Sequence, residues 1–215
     1  MGKQKGQLVV ALDVDTLEQA KRLVKDLSPV VDIFKVGSQL FTAYGPEVVR
    51  LVTDQGRKVF LDLKFHDIPN TVANAVTSAV GLAKGSKSGI LMYTVHTLGG
   101  LEMLKSAAEA GIKKATELKI VPPLSLGITV LTSEEKKDNI HELVLERAKL
   151  ARQAGLNGVV ASVQEARFIR RELGENFIIV TPGIRPMGSD VGDQQRVATP
   201  AEAINSGSDY LVVGR

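Results

Sequence analysis

Short apolar runs, each about five to seven residues long, alternate along this chain with amphipathic stretches of about ten to eighteen. The runs Leu8–Leu12, Ile33–Gly37, Val59–Leu63, Ile90–Val95, Ser125–Val130, Gly158–Ala161, Ile178–Thr181 and Tyr210–Val213 read as strands. Helical spacing of apolar positions marks Leu17–Leu27, Thr71–Ala83, Leu101–Ala115, Ile140–Ala154, Gln164–Leu173 and Pro200–Asn205. Several strands are apolar throughout, as expected when both faces of a sheet are covered. Eight strands alternating with helices predict an α/β fold with a parallel sheet, and the count of eight favours a closed (β/α)8 TIM barrel. No glycine-rich GxGxxG turn follows an early strand, which weakens an open dinucleotide-binding sheet. The 215 residues suit a single domain spanning 1–215. The sequence stops at Arg215, directly after the eighth strand, so the final helix of such a barrel is expected to be absent.

Composition narrows the function classes. With 44% hydrophobic and 24% charged residues the chain has an ordinary globular balance, and no apolar stretch is long enough for a membrane helix. The opening run breaks at Asp13 and lacks a small-residue cleavage site, so it reads as a first strand; cytoplasm is the expected compartment. There is no cysteine, hence no disulfide, thiolate metal site or thiol nucleophile. Net charge is +3 with basic and acidic residues interspersed, and Trp is absent, so nucleic acid is not an expected partner. A modest positive balance does suit a small anionic ligand.

Barrel chemistry belongs at the C-terminal ends of the strands. There the sequence places Asp13 after strand one, Lys35 in strand two, and Asp62 and Lys64 at the end of strand three. The two-residue period of a strand puts Asp62 and Lys64 on one side and Leu61 and Leu63 on the other. Isolated buried charges are costly, whereas a network of opposite signs can keep all its members ionised. Such an array suits a reaction that expels a charged group and then supplies a proton. A carboxylate repels a substrate carboxylate until carbon dioxide leaves, and an ammonium stabilises the developing carbanion before protonating it. In the following loop Pro69 fits a turn or a first helical position, Asn70 or Thr71 is the expected cap, and Asp67 is left free to reach a ligand or a neighbouring subunit. After strands seven and eight, Gly183, Arg185, Gln194, Gly214 and Arg215 are the expected phosphate cradle, because Arg offers a planar fork of donors and Gly lets backbone N–H groups approach. The polar, glycine-containing loop 186–196 has the composition of a lid. His66, His96 and His141 share no ligand spacing, and Lys35 near Asp62 would repel a cation, so no metal site is expected.

The segment DLKFHDIPNT, residues 62–71, resembles the signature of orotidine 5'-monophosphate decarboxylases, in which a D-x-K-x-x-D element belongs to the active site. ALDVD, KVGSQLF, VHTLGG, TVLTS, TPGIRPMGSDVGDQQR and VVGR extend the resemblance over nearly the whole chain. One departure is KGSKSGILMYTVH, where many members carry an acidic residue after Gly. The resemblance implies cofactor-independent decarboxylation of orotidine 5'-monophosphate to uridine 5'-monophosphate, the last step of de novo pyrimidine nucleotide synthesis. It further implies that Lys64 protonates the pyrimidine carbon that loses carbon dioxide, that Asp62 faces the departing carboxylate, and that Lys35 holds the network and contacts the ribose. Asp13 would bind ribose hydroxyls, and Thr132 the pyrimidine. Asp67 would reach the partner's active site across a homodimer, with Ile68 and Thr71 beside it as substrate contacts. Arg185, Gln194, Gly214 and Arg215 would hold the phosphate. Related barrels of the 3-keto-L-gulonate 6-phosphate decarboxylase and hexulose-phosphate synthase type share the D-x-K-x-x-D element but need Mg2+ and an acidic residue on strand two; Lys35 and the IPNT tail argue against them. A binder that kept the fold without catalysis would have no need of Asp62, Lys64 and Asp67 together.

Overall fold

A computed structural model describes residues 6–82, 84, 85, 88–130, 139–185 and 198–214. Eight parallel strands close into a barrel in sequence order: β1 (Gln7–Ala11), β2 (Ile33–Gly37), β3 (Lys58–Phe65), β4 (Ile90–His96), β5 (Leu124–Ile128), β6 (Gly158–Val160), β7 (Ile178–Thr181) and β8 (Tyr210–Val213). Closure is made by β1 and β8, with Gln7 paired to Tyr210 and Val10 to Val213. Around the barrel lie α1 (Leu17–Leu27), α2 (Ser38–Tyr44), α3 (Pro46–Thr53), α4 (Pro69–Gly81), α5 (Gly100–Leu118), α6 (Ile140–Gln153), α7 (Val163–Leu173) and α8 (Pro200–Asn205).

The two-residue alternation of the strands divides the apolar residues into two sets. Val9, Ile33, Phe60, Met92, Leu126, Val180, Tyr210 and Val212 fill the barrel interior. Phe34, Val36, Val59, Leu61, Tyr93, Val95, Val159 and Ile179 point outward into the layer shared with the helices. With both faces buried, most positions of such strands are apolar, and the runs stand out in the sequence.

The helices start where their sequences supply caps. Thr16 accepts from the Gln19 N–H while the Gln19 side chain accepts from the Thr16 N–H, a reciprocal capping box that opens α1. Thr199 and Glu202 repeat it at α8. The expected cap of α4 needs correction: the helix opens two residues earlier than Thr71, with Ile68 as the cap residue, no side-chain cap bond, and Pro69 at the first helical position. Asn70 and Thr71 therefore lie inside the first turn. Two helices join β2 to β3 where the sequence reading assigned none. Gly45, at φ 56°, and Pro46 split that amphipathic stretch into pieces of seven and eight residues, each too short to show the period clearly.

A fixed register positions the mouth of the barrel. Ile33, Phe60 and Met92 belong to the inward-facing apolar cluster, and two residues further along the same strands come Lys35, Asp62 and Thr94. An apolar plug thus carries a polar layer on its C-terminal side.

Candidate active site at the C-terminal mouth of the barrel

The polar layer is a chain of alternating charges. Lys35 Nζ lies 3.2 Å from Asp13 Oδ1 and 3.8 Å from Asp62 Oδ2. Lys64 Nζ lies 2.9 Å from that same Asp62 oxygen. Asp62 is the most enclosed of the four, and its other oxygen accepts from the hydroxyl of Thr94 at 2.9 Å. Every oxygen of this carboxylate is therefore met by a donor, which is what a buried anion needs to stay charged. Asp13, expected at the end of the first strand, stands two residues beyond β1, where the Leu12 N–H still donates to the Lys35 carbonyl at 2.9 Å. Glycines flank the Asp13–Lys35 pair. A Cβ on Gly37 would come within 3.3 Å of Lys35 Nζ, and one on Gly214 within 3.1 Å of Asp13 Oδ2, so side chains at either position would press on the pair.

Lys64 shares the inward side with Asp62, as strand alternation predicts, but it does so from a left-handed backbone at φ 52°. Such a conformation is unfavourable for a residue with a Cβ, and it concentrates at functional positions in folded proteins. It coincides with an irregularity in the ladder: Leu61 pairs with Tyr93 and Phe65 with Val95, leaving three residues of β3 opposite Thr94 alone. The Lys64 N–H, diverted from a regular ladder bond, donates to Thr94 Oγ1 at 2.9 Å.

Around the rim, Asp67 is exposed, and among the described residues its carboxylate accepts from the N–H of Ile68. Ile68 and Thr71 are likewise exposed, on the first turn of α4, and do not enter the charge layer of their own barrel. Exposed Leu98 adds a second apolar side chain at this rim, in the turn after β4. His66 and His96, far apart in sequence, stack with ring centroids 5.5 Å apart. His96 Nδ1 accepts from the Leu98 N–H at 3.3 Å.

On the opposite rim, Arg185 is half-buried. Its N–H donates to the Ala198 carbonyl at 3.0 Å, and its guanidinium donates to the Ile184 carbonyl at 3.0 Å. Gly183, at φ 75°, makes the turn out of β7 that a residue with a Cβ would resist. Gly214 follows β8, and a Cβ built on it would approach Asp13 Oδ2, which places this side of the mouth next to the charge chain. Thr132, Gln194, Arg215 and the expected lid loop 186–196 lie outside the described residues. Among the described residues no three His, Asp or Glu side chains are grouped so as to hold a metal ion, and no helix is long and apolar enough to cross a membrane.

A closed parallel barrel with a partly buried chain of alternating charges at its C-terminal mouth has the architecture of a (β/α)8-barrel enzyme. The chain belongs to the orotidine 5'-phosphate decarboxylase / HUMPS family, whose model matches residues 6–215. It is 49% identical over 220 residues to the orotidine 5'-phosphate decarboxylase of Moorella thermoacetica, covering 98% of this chain and 85% of the relative. Identity to the enzyme of the same name from Syntrophotalea carbinolica is also 49%, over 97% of this chain and 86% of that one. Among solved structures, orotidine 5'-phosphate decarboxylase from Lactobacillus acidophilus superposes with a TM-score of 0.78 at 38% identity, covering 97% of this chain and 90% of the other. An uncharacterized conserved protein from Geobacillus kaustophilus superposes at 0.81 with 33% identity, over 97% and 90% of the two chains. This chain is accordingly an enzyme, of the decarboxylase type its relatives represent.

Proposed function

We propose that this chain, as a single barrel domain, converts orotidine 5'-monophosphate to uridine 5'-monophosphate in the cytoplasm with no metal or organic cofactor. The observation that carries the reading is the Asp13–Lys35–Asp62–Lys64 chain at the mouth of a barrel whose curated relatives bear that enzyme's name. The substrate carboxylate sits against Asp62. Two anions in a poorly hydrated site repel, and the repulsion is relieved as the bond from the pyrimidine C6 to the carboxylate breaks and neutral carbon dioxide leaves. The electron pair stays on C6. The Lys64 ammonium stabilises that charge as it develops and then gives C6 a proton, leaving a neutral amine that is reprotonated from water.

The remaining residues orient the substrate. Asp13 accepts from ribose hydroxyls, Lys35 spans the two carboxylates and contacts the ribose, and Thr132 contacts the pyrimidine. Arg185, Gln194, Gly214 and Arg215 hold the phosphate, whose binding energy serves the transition state at a distance. Asp67 completes the array in the active site of a second copy of the chain, with Ile68 and Thr71 beside it. Its exposure, together with that of Ile68 and Leu98, supports a homodimer built on this rim. A Mg2+-dependent reading is disfavoured because the Lys35 ammonium already lies between the carboxylates of Asp13 and Asp62, where a cation would need to be.

Lys64→Ala tests the assignment. It is expected to abolish turnover while leaving the circular dichroism and melting behaviour of a folded barrel; near-normal turnover would remove Lys64 as the proton donor. Mixing inactive Lys64→Ala with inactive Asp67→Asn should restore activity, because one composite site of the mixed dimer is then intact. No restoration from subunits shown to exchange would refute the shared site.

A further inference from the structure

The sequence assigns Thr94 no role in the chemistry, yet its side chain bonds two members of the charge chain, Asp62 and Lys64. It lies on β4, fully buried, one inward step beyond Met92. Its hydroxyl oxygen accepts from the Lys64 N–H at 2.9 Å, and its proton goes to Asp62 Oδ1 at 2.9 Å. The direction of both bonds is fixed: a backbone N–H can only donate, so the single hydroxyl proton is free for the carboxylate.

That hydroxyl also fills a gap in the sheet. Between the pairs Leu61–Tyr93 and Phe65–Val95 the third strand has three residues and the fourth has one. The two extra residues give β3 two inward positions, Asp62 and Lys64, opposite the single inward position of Thr94. The cost is a left-handed backbone at Lys64, and the N–H of that strained residue ends on Thr94 rather than on a ladder carbonyl.

We propose that Thr94 is a positioning residue for the decarboxylation, its hydroxyl holding the widened third strand so that Asp62 and Lys64 point together at the substrate. The inference rests on the proposed function for its catalytic consequence, but its structural half stands without it. Valine has the shape of threonine and no hydroxyl, so Thr94→Val leaves the Lys64 N–H and one Asp62 oxygen without their partner while scarcely changing volume. Serine keeps the hydroxyl.

The test compares Thr94→Val and Thr94→Ser with the parent by kinetics and by amide hydrogen exchange of the segment 62–66. Thr94→Val is expected to lower kcat about tenfold to a hundredfold, the scale for losing a hydrogen bond to a charged group. Binding of uridine 5'-monophosphate should change less than about threefold, because phosphate and ribose contacts lie elsewhere, and exchange at Lys64 should accelerate at least about tenfold. Thr94→Ser should stay within about threefold of the parent in every measurement. Unchanged exchange and kcat in Thr94→Val would overturn the proposal, as would a Thr94→Ser variant as impaired as Thr94→Val. If the parent itself fails to decarboxylate the nucleotide, the functional reading falls, and exchange at Lys64 still decides whether Thr94 holds the strand.

Discussion

Replacing Lys35 with methionine removes the cation that touches the carboxylates of both Asp13 and Asp62, and the structure sets the size of the effect. With an effective dielectric constant of about 20, unit charges at the observed 3.2 Å and 3.8 Å attract by about 5 and about 4 kcal/mol. Most of this is offset by the cost of withdrawing an ammonium from water, so the net worth of Lys35 is far smaller than the sum. Breaking an enclosed pair by deleting one partner costs about 3–5 kcal/mol, and because the Asp13 side chain keeps 32% of its exposure the cost falls below that range, to about 2–3 kcal/mol. For a chain of this size that is a fall in Tm of about 5–10 °C. Urea denaturation at neutral pH, followed by circular dichroism, measures it, and a cycle with Asp13→Asn isolates the pair, whose coupling should be at least about 1 kcal/mol. The pair Arg22–Asp26 on α1, 3.7 Å apart and largely solvated, is the internal control and should show no measurable coupling. A loss below about 0.5 kcal/mol for Lys35→Met would refute the claim that the layer is held as a charge network.

Two other perturbations test the framework. A Cβ at Gly111 of α5 would lie 2.5 Å from the hydroxyl of buried Tyr93, which donates to the Ala107 carbonyl at 3.0 Å, so Gly111→Ala should destabilise by about 1–3 kcal/mol despite alanine's better helix propensity. Adding Tyr93→Phe should recover part of that loss, and a Gly111→Ala protein as stable as the parent would contradict the close approach. At the N-terminal end of the barrel, burial opposes the charge on Asp32, but Lys58 and Arg57 outweigh it and hold the carboxyl below its usual range. A lowered folded-state value stabilises above the unfolded pKa and is lost as pH falls through the folded one. Asp32→Asn should therefore cost stability near pH 7, less than about 1 kcal/mol for so solvated a group, and that cost should shrink as pH falls below the usual carboxylate range and through the lowered folded value. A deficit that persists in acid would mean the aspartate acts by something other than its charge.

Much of this architecture is legible in the residues because the barrel buries both faces of its strands. The runs Ile33–Gly37, Ile178–Thr181 and Tyr210–Val213 match the observed strands at both ends, as does Leu17–Leu27 for α1, where Thr16 and Gln19 mark the start. Legibility fails where local geometry departs from period. The Gly45–Pro46 break concealed α2 and α3, and Pro69 drew the start of α4 ahead of the residues that looked like caps. Charge spacing was enough to bring Asp62 and Lys64 to one side, yet no sequence pattern announces the left-handed backbone at Lys64 or the extra residues of β3. Thr94 was invisible for the same reason: a threonine in an apolar strand reads as β propensity, and only the register shows its hydroxyl between two charged residues. The stacking of His66 on His96 likewise joins the ends of neighbouring strands, a proximity set by topology rather than spacing.

The measurement that bears most directly on the central claim is a turnover assay of orotidine 5'-monophosphate with purified protein in excess chelator, following loss of the orotate chromophore. The account predicts full conversion to uridine 5'-monophosphate at a rate unaffected by the chelator. No conversion, or a rate that collapses with chelation and returns with Mg2+, would contradict it.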